Sequence, residues 1–135
     1  MKYTRTYELQ ATHFNGQVTY DNYEKFLKYE LDGDFKSALD SLKKVLSDLH
    51  GHNFIITVIA ETVAPFIDYP VDDVFLTEIV MYFNNKNLSI LPEFNKIRAT
   101  TENFCIVLKK QLLSAFPLIN FKIIIQETTL IKAEI

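Results

Sequence analysis

The stretch Phe54-Ile55-Ile56-Thr57-Val58-Ile59-Ala60 constrains the fold more than any other part of the chain. β-Branched residues dominate it, and side chains of an extended segment alternate between two faces. Phe54, Ile56, Val58 and Ala60 fall on one face, Ile55 and Ile59 on the other. Both faces are apolar, so this strand needs cover on both sides. Helices can cover one of them. A neighbouring subunit can cover the other, because a chain of 135 residues has few elements left to do so. That length suggests a single domain, 1–135, burying roughly two thirds of its unfolded surface.

The remaining elements can be read from periodicity. Between Tyr3 and His13 the odd positions are Tyr3, Arg5, Tyr7, Leu9, Ala11 and His13, and the even ones Thr4, Thr6, Glu8, Gln10 and Thr12. This alternation predicts a strand with one buried face, ended by the turn pair Asn15-Gly16. Asp21 to Leu31 reads as a short helix opened by Asp21 and Glu24. A second, amphipathic helix carries Phe35, Ala38, Leu39, Leu42, Val45, Leu46 and Leu49, so a helical insertion occupies about 20–48. Further on, Asp72 or Asp73 caps a helix with the apolar stripe Phe75, Leu76, Ile79, Val80 and Phe83, stopped by Asn84-Asn85-Lys86-Asn87. Thr100-Thr101-Glu102 opens another helix, with Phe104, Leu108, Leu112 and Ala115 on one side and Pro117 at its end. Phe121 to Gln126 and Thr129 to Ile135 read as strands. The order implies an α+β fold: an antiparallel four-stranded sheet with two helices on one face, plus the insertion between its first two strands.

Composition removes several functions. The net charge is -3, which argues against electrostatic nucleic-acid binding. The single Cys105 can form no internal disulfide, CxxC pair or thiol-rich zinc site, and it reads as a buried core thiol. The polar start Met1–Gln10 lacks a signal-peptide core and no apolar run approaches the roughly twenty residues of a membrane helix. The expectation is a cytoplasmic protein with no membrane or nucleic-acid partner.

Metal chemistry then rests on His13, His50 and His52, the three histidines of the chain. His50 and His52 are two apart and project from the same side of an extended chain, with Gly51 removing bulk between them. His13 ends the first strand. If the two strands pair near these ends, three imidazoles converge, a donor set suited to zinc with one open position. Chance placement of an HxH pair is the competing reading.

Several segments match one family in order. Leu9-Gln10-Ala11-Thr12-His13 resembles its F-x-A-A-H segment, and His50-Gly51-His52-Asn53-Phe54 its H-G-H-N-Y/F signature. Ile67-Asp68-Tyr69 resembles V-D-F, Lys86-Asn87-Leu88 the end of D-H-x-N-L, Thr100-Thr101-Glu102-Asn103 the helix start T-x-E-N, and Glu127-Thr128 the E-T after its third strand. On these grounds the chain resembles the 6-pyruvoyltetrahydropterin and 6-carboxytetrahydropterin synthases. The resemblance implies a tunnelling fold and a homo-oligomer, trimer or hexamer, with sites at subunit interfaces. It implies zinc held by His13, His50 and His52. It also implies a pterin ring anchored by Glu127, through paired hydrogen bonds to its guanidine-like edge, with Thr100 and Thr101 near the ring. Both threonines also read as helix-capping residues.

Two departures bear on activity. Where the family carries its catalytic cysteine stand Lys44, Val45 and Leu46, and its catalytic Asp-His pair aligns with Asn84-Asn85. Asparagine holds geometry but cannot shuttle a proton near neutral pH. Asp48 is the nearest substitute base and otherwise reads as a solvent-facing helix-end residue. Two functions are therefore expected to compete: a zinc-dependent enzyme of the synthase or lyase type acting on a dihydropterin with an altered base, and a catalytically degenerate pterin-binding or structural oligomer.

Overall fold

Strand β1 (Lys2–Phe14) pairs antiparallel with β2 (Leu49–Thr62), in a register that sets Tyr7 opposite Ile56, Ala11 opposite His52 and His13 opposite His50. The computed structural model describes residues 2–14, 49–62, 71–127 and 131–134. After β2 come helix α1 (Asp73–Met81), the two-residue strand β3 (Lys86–Asn87), two short 3-10 turns, helix α2 (Thr101–Ala115), β4 (Ile119–Glu127) and β5 (Ile131–Glu134). The sheet order is β3-β1-β2-β4-β5. β2–β4 and β4–β5 are antiparallel, whereas β3 runs parallel to β1.

The α+β architecture and its four antiparallel strands are those expected, but among the described residues the sheet has five strands rather than four. The difference lies at Asn84–Asn85, which the sequence presents as a helix stop. Asn85 adopts φ 59°, a left-handed conformation that asparagine tolerates better than most residues. The chain thereby turns back along β1: the Asn85 N–H donates to the Gln10 carbonyl at 2.6 Å, and the Asn84 side-chain oxygen accepts from the Gln10 N–H at 3.0 Å. Lys86 and Asn87 then pair beside Ala11 and Thr12. The helical insertion of about 20–48, the Asn15-Gly16 turn and Ile67-Asp68-Tyr69 lie outside the described residues.

The two-fold alternation of the strands decides which side is buried. Tyr7, Leu9 and Ala11 of β1, Phe54, Ile56, Val58 and Ala60 of β2, and Ile119, Phe121, Ile123 and Ile125 of β4 form one buried face. Over it pack Leu76 and Val80 of α1 and Phe104, Cys105, Leu108 and Leu112 of α2, joined by Phe83 and Phe94. Phe104 is the centre of this layer, its ring 5.5 Å from Phe54, 5.0 Å from Phe83 and 6.1 Å from Phe94. On the opposite face Ile55 is 41% exposed, and Ile59 and Ile124 are half-buried. That is the second apolar face for which the sequence demands cover.

Both described helices begin at capping residues. The Asp72 carboxylate accepts from the Phe75 N–H at 3.1 Å, and the Thr100 hydroxyl accepts from the Asn103 N–H at 3.2 Å, each satisfying one orphan donor of a first turn. Asp73 is used differently. Its carboxylate receives the Arg5 guanidinium at 2.8 Å on both oxygens and the Tyr3 hydroxyl, tying α1 to the start of β1. The α1 stripe is narrower than its sequence suggests: Phe75 is 43% exposed and leans sideways onto Phe116, 5.4 Å away. Among the described residues no helix is long and apolar enough to cross a membrane.

Candidate metal centre

The three histidines meet because of strand register. Directly opposed residues of antiparallel strands lie about 4.5–5.5 Å apart, and diagonal neighbours are within reach of long side chains. His13 stands opposite His50, His52 is two residues further along β2 on the same face, and all three project to the helix-covered side. Ring centroids are 4.4 Å apart for His13 and His50, 4.7 Å for His50 and His52, and 5.1 Å for His13 and His52. Phe54, next on that face, closes the inner end of the cluster with its ring 6.0 Å from His52 and 6.4 Å from His13.

Glu127 belongs to the same cluster. The β2–β4 register sets it opposite Phe54, at the last position of β4, so its side chain extends past the strand end towards the histidines. One carboxylate oxygen, Oε1, lies 2.6 Å from His52 Nε2 and 3.5 Å from His13 Nε2. The other, Oε2, accepts a hydrogen bond from the Thr101 hydroxyl, which is itself buried in the first turn of α2. One ligand atom from each of His13, His50, His52 and Glu127 lies within 4.8 Å of every other. This His/Glu cluster could hold a metal ion.

The protonation pattern suits that use. His13 Nδ1 is 2.6 Å from the Ala99 carbonyl, which can only accept, so the proton sits on Nδ1 and the Nε2 lone pair faces the cluster. Glu127 Oε1 approaches His52 Nε2 without the alignment of a directed hydrogen bond. Nε2 of His13 and Nε2 of His52 are thus buried without a hydrogen-bond partner. Polar atoms in that condition are costly unless something else satisfies them. Burial lowers the His52 pKa below the ordinary histidine value, with the neighbouring imidazoles adding to the effect and Glu127 opposing it. A neutral imidazole is the form that ligates metal.

The other residues singled out by sequence fall as follows. Thr100 is the α2 cap, its hydroxyl turned to the helix backbone, and Thr101 is the residue that reaches Glu127. Asp48 lies outside the described residues. Asn84 and Asn85 hold the Gln10 backbone, and Asn85 lines, with Lys86, Thr12, Gly51 and His52, a cavity of about 800 Å³ beside the cluster. Cys105 is fully buried, and burial pushes its thiol up to about 11. In the sequence Glu127 stands apart from the histidines, and Ala99 carries no signal. A backbone carbonyl leaves no mark on a sequence. The Glu127 position needed the β2–β4 register.

The family model of the 6-pyruvoyl tetrahydropterin synthases matches residues 34–134. The chain belongs to this 6-pyruvoyl tetrahydropterin synthase family. Solved structures agree on the fold. The Caenorhabditis elegans 6-pyruvoyl tetrahydropterin synthase is similar with a TM-score of 0.63 at 21% identity, covering 100% of this chain and 94% of its own. The Plasmodium vivax enzyme gives a TM-score of 0.52 at 13% identity, covering 100% and 97%. That of Plasmodium falciparum gives 0.50 at 14%, covering 99% and 96%. No curated protein matches the chain at a significant level. The synthase-family fold therefore carries its histidine cluster at the junction of β1, β2 and β4.

Proposed function

We propose that this synthase-family chain is a zinc protein that takes a dihydropterin at the His13, His50 and His52 cluster. The observation that carries the reading is the convergence of these imidazoles, with two buried Nε2 atoms that lack a hydrogen bond and face the Glu127 carboxylate. Three neutral imidazole nitrogens are a zinc set rather than one for a hard, all-oxygen cation. When bound, zinc supplies Lewis acidity towards an oxygen of the substrate. The chain's own residues do the rest. Glu127, buried at the floor of the cluster, accepts paired N–H groups from the guanidine-like edge of the ring, and Thr101 steadies its carboxylate. Ala99 fixes the tautomer of His13. The polar wall from Gln10 to Asn87 receives the remainder of the ligand. The working unit is a cytoplasmic homo-oligomer, a trimer or hexamer, whose subunits cover the Ile55 face.

A second reading, a pterin-binding protein without turnover, is favoured by Asn84. At the position of the family's acid its side-chain oxygen is engaged with the Gln10 backbone, and an amide cannot relay a proton. The experiment is metal analysis followed by incubation with dihydroneopterin triphosphate and related dihydropterins. One zinc per chain with product formation supports the enzyme. One zinc with pterin binding that is abolished in Glu127→Ala, and no product, supports the second reading. Absence of stoichiometric zinc refutes both.

A further inference from the structure

Glu127 is placed for more than ring capture. It is 6% exposed, and its Oε1 is directed at two imidazole nitrogens rather than into open space. A tetrahedral ion with bonds of about 2.1 Å holds its donors about 3.4 Å apart. Glu127 Oε1 already stands at that spacing from His13 Nε2, 3.5 Å, whereas its 2.6 Å approach to His52 Nε2 would have to widen on metal binding. Both of those atoms come from nearly fully buried residues, and both are fixed from behind, His13 by the Ala99 carbonyl and Glu127 by the Thr101 hydroxyl. Supporting contacts of this kind orient metal ligands and tune their basicity.

We propose that Glu127 is the fourth protein ligand of the metal, with Thr101 as its positioning residue, so that the ligand-free centre is closed. This rests on the metal reading above and adds to it. Catalytic zinc sites keep an open position, whereas closed four-ligand sites are structural. Here the carboxylate that closes the site is the same one that would anchor a pterin ring. Entry of the ring edge would draw Glu127 off the ion and open the fourth position, which makes an open metal conditional on an occupied pocket.

The test uses the Co²⁺-loaded full-length protein titrated with azide, which shifts the visible absorption when it reaches an open coordination position. The wild type should show no shift at azide concentrations that convert Glu127→Gln fully. Competition with a chromophoric chelator should show Zn²⁺ affinity falling at least ~10-fold in Glu127→Gln and by about 10- to 100-fold in Thr101→Val, with one ion per chain retained in each. A wild type that takes azide readily overturns the proposal, and needs no variant to fold. Unchanged Zn²⁺ affinity in Glu127→Gln likewise overturns it while leaving the three-histidine site intact. Failure of the wild type to bind Co²⁺ or Zn²⁺ at all overturns the metal reading itself.

Discussion

Replacing Asn84 by alanine tests whether this residue is a relic of a proton-relay pair or a working part of the sheet. In the structure its side-chain oxygen accepts the Gln10 N–H at 3.0 Å on the outer side of β1, three residues before His13. The bond is solvent-exposed, so water partly replaces it, and the loss should be that of an ordinary neutral hydrogen bond, about 0.5–1.5 kcal/mol. At roughly 2.1 cal/mol/K of unfolding entropy per residue, a chain of this size unfolds with about 0.28 kcal/mol/K, so each kcal/mol moves Tm by ~3.5 °C. Asn84→Ala should therefore melt about 2–5 °C below wild type in calorimetry at neutral pH. Asn84→Asp keeps the accepting oxygen and should melt within about 1 °C of wild type. An alanine variant as stable as wild type, or an aspartate variant as weak as the alanine one, would refute the clamp.

Other expectations follow from the same geometry. Phe104→Ala removes the ring shared by Phe54, Phe83 and Phe94 and should cost about 3–5 kcal/mol, lowering Tm by ~10–18 °C; a loss under about 1 kcal/mol would show that the layer repacks freely. Cys105, with its thiol at about 11, should be ~0.1% thiolate at pH 8, against about a quarter for a free cysteine. Its reaction with a disulfide reagent should accelerate on denaturation by orders of magnitude, and equal native and denatured rates would contradict its burial. Zinc at about a hundred times its Kd should stabilise the fold by ~2.7 kcal/mol, a rise in Tm of about 10 °C that His13→Ala abolishes. A shift that survives in that variant would place the ion elsewhere.

What sequence reveals here is whatever repeats or caps. The alternation from Tyr3 to His13 predicts the buried Tyr7, Leu9, Ala11 and His13, and Asp72 and Thr100 act as the helix caps their positions suggest. The HxH spacing points two imidazoles the same way, and strand pairing adds the third. β3 is different in kind. Two residues held by one left-handed asparagine and one neighbouring strand have no periodicity to detect. The approach of Glu127 to His52 is likewise a product of β4 ending opposite Phe54, a long-range alignment that no local pattern encodes. In the sequence Thr101 reads as a second capping hydroxyl because the chain presents two threonines in a row. Only the packing of α2 against the end of β4 separates their tasks.

Three consecutive residues answer for much of the site. The Ala99 carbonyl holds His13, the Thr100 hydroxyl starts α2, and the Thr101 hydroxyl grips Glu127. A shift of one residue in that run would release a β1 side chain, a helix start and a β4 side chain together. Strand register brings the cluster together, but the start of α2 holds two of its four side chains, His13 and Glu127, so local opening of that turn should loosen both at once. Amide exchange at Asn103, whose N–H closes that turn, would serve as a gauge of this hold on His13 and Glu127.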